Sequence, residues 1–206
     1  MPKVSQEHSA AQRKIILDAA IRCFASEGFH RTTMRDIVRK SGMSAGALYL
    51  YFKSKDELID AIAESRHHRE RIWIDSALNQ DDPVKVFRAL VQSFAKVLMN
   101  PAEKQERRLA IQVWAESLLD AKIRASVKLG IDVPTDLLAK FLKAAQRRGT
   151  IRKNVDCHAA SRVLVALYQG LVLQVAWEPG ISLEPHLKII ESMLLALTTG
   201  AAEKKR

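Results

Sequence analysis

Two tyrosines, two lysines and a run of small residues crowd into the segment SGMSAGALYLYFKSK, residues 41–55. A phenolic hydroxyl at Tyr49 or Tyr51 can donate to a phosphate oxygen while its ring braces a helix, and Lys53 and Lys55 offer compact point charges. Just upstream, Thr33 and Arg35 stand at the amino end of a predicted helix, where backbone N–H groups point outward and hold phosphate. Ser44 can hydrogen-bond a base or its phosphate, Ala45 can touch a thymine methyl group, and Gly46 lets a helix sit deep in a groove. This is the chemistry of a surface laid against duplex DNA. No residue from Ser44 to Ala47 can form a bidentate pair with a base edge, so sequence preference is expected to lean on methyl contacts, Arg35 and DNA shape.

Other chemistries have thinner raw material. His67, His68 and Glu70, or Cys157 with His158, would be the best starting point for a metal site, but adjacent histidines on a helix point to different sides and cannot ligate as an i, i+4 pair would. The sequence contains no HExxH, CxxC or glycine-rich phosphate loop, so no enzyme, catalytic residue, metal site or cofactor is expected, and HHRER reads as a solvated helix face. Cys23 and Cys157 are far apart and read as ordinary buried or semi-buried thiols, with no disulfide framework. A sequence-neutral architectural DNA-binding protein is the remaining alternative. It would bind any duplex alike, whereas a regulator prefers one palindromic site by ~10³ or more at physiological salt.

The elements that must position these residues are helices. Glycine and proline number 8 and 6 in 206 residues, alternating β-branched runs are absent, and apolar residues recur every three or four positions, so an all-α fold is expected. The first helix should run from about Ser9 to Glu27, with Ile16, Ala20, Cys23 and Phe24 on one side, Gly28 as its stop and Phe29 plugging a small core. Thr33 and Asp36 make a capping box for the second helix, Ser44 caps a short third, and Ser54 caps a fourth that continues to about Leu78 and bridges two domains. Asp82 before Pro83 and Asn100 before Pro101 begin the fifth and sixth. The region from Ala121 to about Arg148 holds Gly130 and Pro134 and is either one kinked helix or two pieces. Asp156 caps the next, to about Glu178, and Ser182 begins the last, to about Thr199.

Net charge is +10, and residues 1–55 carry ten Lys or Arg against four acids while the other 151 carry 23 against 19. The excess is concentrated where a phosphate-facing segment is needed. The N-terminus has no apolar run suited to a signal peptide, and the stretch from Val163 to Trp177 is expected to be too short to span a membrane, so a cytoplasmic protein without membrane association is expected. The last two helices each carry two apolar stripes. In one, Leu164, Leu167, Leu171 and Val175 face apart from Val163, Ala166, Gly170 and Trp177; in the other, Leu187, Ile190, Leu194 and Leu197 face apart from Ile189, Met193 and Ala196. Such girth calls for partners on more than one side, either within one large domain or in a second subunit related by twofold symmetry.

The string TTMRDIVRKSGMSAGALYLYFKSKDEL, preceded by a helix ending in FASEGF, resembles the helix-turn-helix signature of the tetracycline-repressor (TetR) family over roughly residues 10–60. IQVWAESLLD and AASRVLVALYQGLVLQVAW are similar to the effector domains of the choline-responsive repressor subgroup. The resemblance implies a three-helix DNA-binding domain at 1–53 and a larger helical effector-binding and dimerisation domain at 54–206. It implies a homodimer on a palindromic operator, released by a small-molecule effector, with Tyr49, Tyr51 and Lys55 on the DNA backbone. Leu50 departs from the polar or larger aromatic residue many members carry there. A pocket among the middle helices is implied, for which Phe94, Trp114, Tyr168, Gln169 and Trp177 combine apolar bulk with polar tips. Replacing Lys55 by Ala should weaken binding to every duplex and lower the salt slope by about 1; an unchanged slope would remove Lys55 from the phosphate contacts.

Overall fold

The computed structural model describes residues 6–199, and among them nine α-helices and no strand. In chain order they are α1 (Gln6–Glu27), α2 (Met34–Ser41), α3 (Ala45–Tyr51), α4 (Lys55–Leu78), α5 (Pro83–Met99), α6 (Lys104–Glu116), α7 (Ala121–Arg147), α8 (Cys157–Trp177) and α9 (Glu184–Leu195). They form two compact units, one of residues up to 67 together with 104–126, the other of residues 68–103 together with those from 127 onward.

Local capping chemistry sets most of the boundaries. At α2 the Thr33 hydroxyl accepts from the Asp36 N–H at 3.3 Å, and the Asp36 carboxylate accepts from the Thr33 N–H at 2.9 Å, a complete capping box. Gly42 ends the helix at φ +70°, a left-handed conformation that side chains rarely adopt. Ser44 accepts from the Ala47 N–H at 3.2 Å and Ser54 from the Glu57 N–H at 3.2 Å, opening α3 and α4. Asp82 and Asp156 cap α5 and α8 in the same way.

Three elements depart from the sequence expectations or close an open alternative. The proline-led start at Pro101 is a 3₁₀ turn, Pro101–Glu103, and α6 becomes α-helical only at Lys104; the Glu103 N–H reaches the Asn100 carbonyl three residues back, the tighter bonding common at helix starts. The segment holding Pro134 is one continuous helix, in which the Thr135 hydroxyl donates to the Ile131 carbonyl at 2.7 Å. The last helix begins at Glu184, after Leu183, which makes no side-chain cap bond. It stops at Leu195 because the chain turns to pair with residues 150–152, the Arg152 N–H donating to the Leu197 carbonyl at 3.0 Å and the Thr199 N–H to the Thr150 carbonyl at 3.2 Å.

The core of the first unit gathers Ile16, Phe24, Ile37, Leu48, Phe52, Leu58 and Leu109, with Phe29, Val38, Tyr51 and Val113 packed against it. Burying a side chain of this kind contributes about 1.5–3 kcal/mol. In the second unit, α5 turns Val86, Phe87, Leu90 and Phe94 inward against α8 and α9, and Arg88 reaches Glu191 of α9 at 2.9 Å. The apolar run at Val163–Trp177 is part of a 21-residue helix, long and apolar enough to cross a membrane by length and composition, so the expectation that it falls short is corrected. The run continues back to Cys157 because Asp156, not a break within the run, sets the helix start. Both cysteines are buried and free, and burial pushes their thiols up from the usual range.

The Thr33 hydroxyl, helped by the Thr33 N–H and Arg39, holds the Asp36 carboxyl below its ordinary range. A lowered folded-state value means that the stabilisation is present above the ordinary carboxylate range, about 4, and is lost as pH falls through the lowered value. The difference in urea midpoint between the protein and Asp36→Ala should therefore be constant from about pH 8 to 5 and shrink below about pH 4. A difference that stays flat to lower pH would contradict the box as described.

Candidate nucleic-acid interface

Helix α3 divides cleanly into two faces. Leu48 and the following Phe52 are buried, Ala47 and Tyr51 are half-buried, and Ala45, Gly46, Tyr49 and Leu50 are exposed. At about 100° per residue the four exposed positions fall within an arc of about 140°. Tyr49 is 47% exposed and Leu50 86%. Ser44 uses its oxygen as the helix cap, leaving its O–H available to donate outward. The outward face thus carries one phenol, one leucine and two residues of minimal size.

The flanking charged residues divide into exposed and tethered. Arg35 and Lys53 are exposed, and the Lys53 N–H is fixed by the Glu57 carboxylate at 2.7 Å. Thr33 is exposed, but its hydroxyl donates to Asp36 at 2.6 Å, so an acid already occupies the amino end of α2. Lys55 is half-buried, with its ammonium 2.9 Å from the Phe29 carbonyl, 3.4 Å from that of His30 and 4.7 Å above the Phe29 ring. It therefore holds the loop between α1 and α2 onto the start of α4. An ammonium has three N–H donors, so one remains for a phosphate.

Several residues of this unit carry no short-range sequence signal. The Arg13 guanidinium lies 4.5 Å over the Phe52 ring, tying α1 to the carboxyl end of α3. His30 pairs with Glu116 at 2.8 Å across 86 positions, joining the loop before α2 to the end of α6 within the same unit. Gln112 of α6 donates to the Ala25 carbonyl at 3.4 Å, and Lys122 pairs with Asp60 at 2.8 Å. Partners so distant in the chain become visible only once the fold is known.

The five residues expected around an effector fall in both units, four of them in the second. Phe94 and Tyr168 meet with ring centroids 5.1 Å apart, and Gln169 is the half-buried neighbour of Tyr168. Trp114 belongs to the first unit, where the Arg66 guanidinium lies 6.0 Å from its ring. Trp177 is 76% exposed at the end of α8.

Known proteins agree with this layout. Residues 16–62 match the family of bacterial regulatory proteins of the tetR type, and residues 87–199 match the C-terminal region of BetI-type transcriptional repressors. The uncharacterized HTH-type transcriptional regulator YfiR of Bacillus subtilis is 45% identical where it aligns, over 68% of this chain and 78% of its own. Among solved structures, Salmonella enterica GusR superposes with a TM-score of 0.78 at 28% identity, covering 95% of this chain and 98% of its own. The triclosan complex of SmeT, a Stenotrophomonas maltophilia repressor of a multidrug efflux pump, reaches 0.78 at 26% identity with 91% of each chain covered. These relatives are regulators rather than enzymes. With α3 displayed on a capped, welded head and both halves of the chain matched, the protein belongs to the TetR family of DNA-binding transcriptional regulators.

Proposed function

We propose that the protein is a homodimeric, cytoplasmic repressor that places α3 in the major groove of each half of a palindromic operator and is released by a small molecule. The observation that carries the proposal is the outward face of α3, which is exposed, free of acidic side chains and backed by a core that leaves the helix no second role. Thr33, Arg35, Tyr49, Tyr51 and Lys53 of the head, which ends at residue 53, and Lys55 just beyond it contact the DNA backbone, while Ser44, Ala45 and Gly46 approach the bases. Residues 54–206 hold the effector and the second subunit.

The dimer reading rests on the second stripes of α8 and α9. Val163 is 54% and Ile189 63% exposed, and Ala166, Met193 and Ala196 are exposed beside them, whereas Leu164, Leu171, Leu187, Ile190 and Leu194 are buried within the chain. A twofold-related copy would cover these stripes and the exposed Trp177, giving α8 a protein partner rather than lipid. The Phe94–Tyr168 ring pair with Gln169 is the proposed effector contact in the second unit. SmeT, similar in fold and complexed with triclosan, supports a small-molecule effector. Helices α4 and α7 each have one part in either unit, which makes them covalent routes from effector to DNA. An effector that favours one arrangement would alter the spacing of the two α3 helices, which half-sites one turn apart fix at about 34–36 Å.

Val163→Glu with Ile189→Glu should convert the dimer to a monomer in sedimentation equilibrium and cut affinity for a selected palindrome by ~10²-fold or more, since linked sites gain that much from avidity. A variant that stays dimeric would move the interface elsewhere. A protein that binds every duplex alike would favour the architectural alternative.

A further inference from the structure

We propose that Leu50 is a base-reading residue that seats the C5-methyl group of a thymine against the notch left by Gly46, one turn earlier on α3. This rests on the assignment of α3 to the major groove. Leu50 is the most exposed large apolar side chain among the described residues, at 86%. It lies on the outer face with Ala45, Gly46 and Tyr49, opposite the buried Leu48 and Phe52. No core residue needs it there.

Gly46 is the second observation. Its backbone does not require glycine, since positive φ angles occur only at Gly28, Gly42 and Gly149 among the described glycines, and a Cβ built at Gly46 would meet nothing within 4 Å. Glycine inside a helix is less stable than alanine, so neither backbone conformation nor packing in this chain accounts for it. Residues four apart share a helix face, and a side chain leans toward the amino end, which brings Leu50 over the bare backbone at Gly46. The result is a shallow apolar step, one wall a leucine and the floor a helix backbone.

Of the groups exposed in the major groove, the thymine methyl is the apolar one; the other base-edge groups are hydrogen-bond donors and acceptors. A step without donors or acceptors selects for that methyl and against the polar edges, which it would leave unpaired. Tyr49 and Ser44, on the same surface, can fix the register in which the methyl meets Leu50.

The test begins by selecting preferred duplexes with the full chain from a random pool, then replacing individual thymines by uracil, which lacks only the methyl. One thymine in each half-site should be sensitive, with affinity falling about fourfold per replacement, as expected for losing one buried methyl. In Leu50→Ala the same replacement should have no effect, while the salt slope is retained. Gly46→Ala should melt at a higher temperature yet lose the thymine preference. Uracil tolerated at every thymine, or a uracil effect unchanged in Leu50→Ala, would overturn the inference. So would Gly46→Ala binding with unaltered preference. A pool that enriches no sequence would instead overturn the operator-reading function, and the inference with it.

Discussion

A helix of seven residues has no stability of its own in water, and α3 exists because Leu48 and Phe52 anchor it in a cluster shared with α1, α2, α4 and α6. That anchoring has a functional consequence. Since the inward residues supply all the helix needs to stay in place, the outward ones are free of structural duty and can be as small as alanine and glycine. The polar ties around the cluster act on the same problem from its edges. Arg13 holds the Phe52 end, Lys55 pins the loop before α2, and the Thr33–Asp36 box sets where α2 begins. Removing any one loosens the presentation of α3, and at Arg13 it does so without touching a residue proposed to face DNA.

The second unit works under a different constraint, an excess of apolar surface. Helix α8 has enough apolar length for a membrane, yet its inner stripe packs on α5 and its outer stripe carries arginine and histidine at Arg162 and His158 as well as Val163 and Ala166. Arg162 reaches Asp132 of α7 at 3.2 Å, so the charged part of that face is tied into the unit itself. A mixed surface of this kind suits a protein partner with matching grooves better than hydrocarbon. The proposed twofold pairing would meet two needs at once, covering the stripes and presenting a second α3 to the DNA.

Much of this was legible from short-range patterns. The caps at Thr33, Ser44, Ser54, Asp82 and Asp156 depend on residues two or three positions away, and each stands where spacing predicts. The two stripes on each of α8 and α9 were likewise visible, but their inward and outward sense was not, because that depends on where α5 lies. Ser182 misled because it has the composition of a cap, while α9 starts without any side-chain cap, at Glu184 after a buried Leu183 that already has helical backbone angles. The packing of Leu109 and Val113 of α6 into the head, and the His30–Glu116 pair, join segments many turns apart and leave no periodic trace. At the interface itself, residue types pointed to DNA but did not separate the exposed Tyr49 from the half-buried Tyr51, or reveal that Lys55 is partly occupied by carbonyl groups.

The central claim is that two copies of α3 lie in successive major grooves on one face of a duplex. Methylation interference at guanine N7, a major-groove atom, would test it on a duplex selected by the full chain. Two clusters of interfering guanines on the same face, centred one helical turn or about 34–36 Å apart, are the predicted result. A single cluster, or interference spread evenly along the duplex, would contradict it.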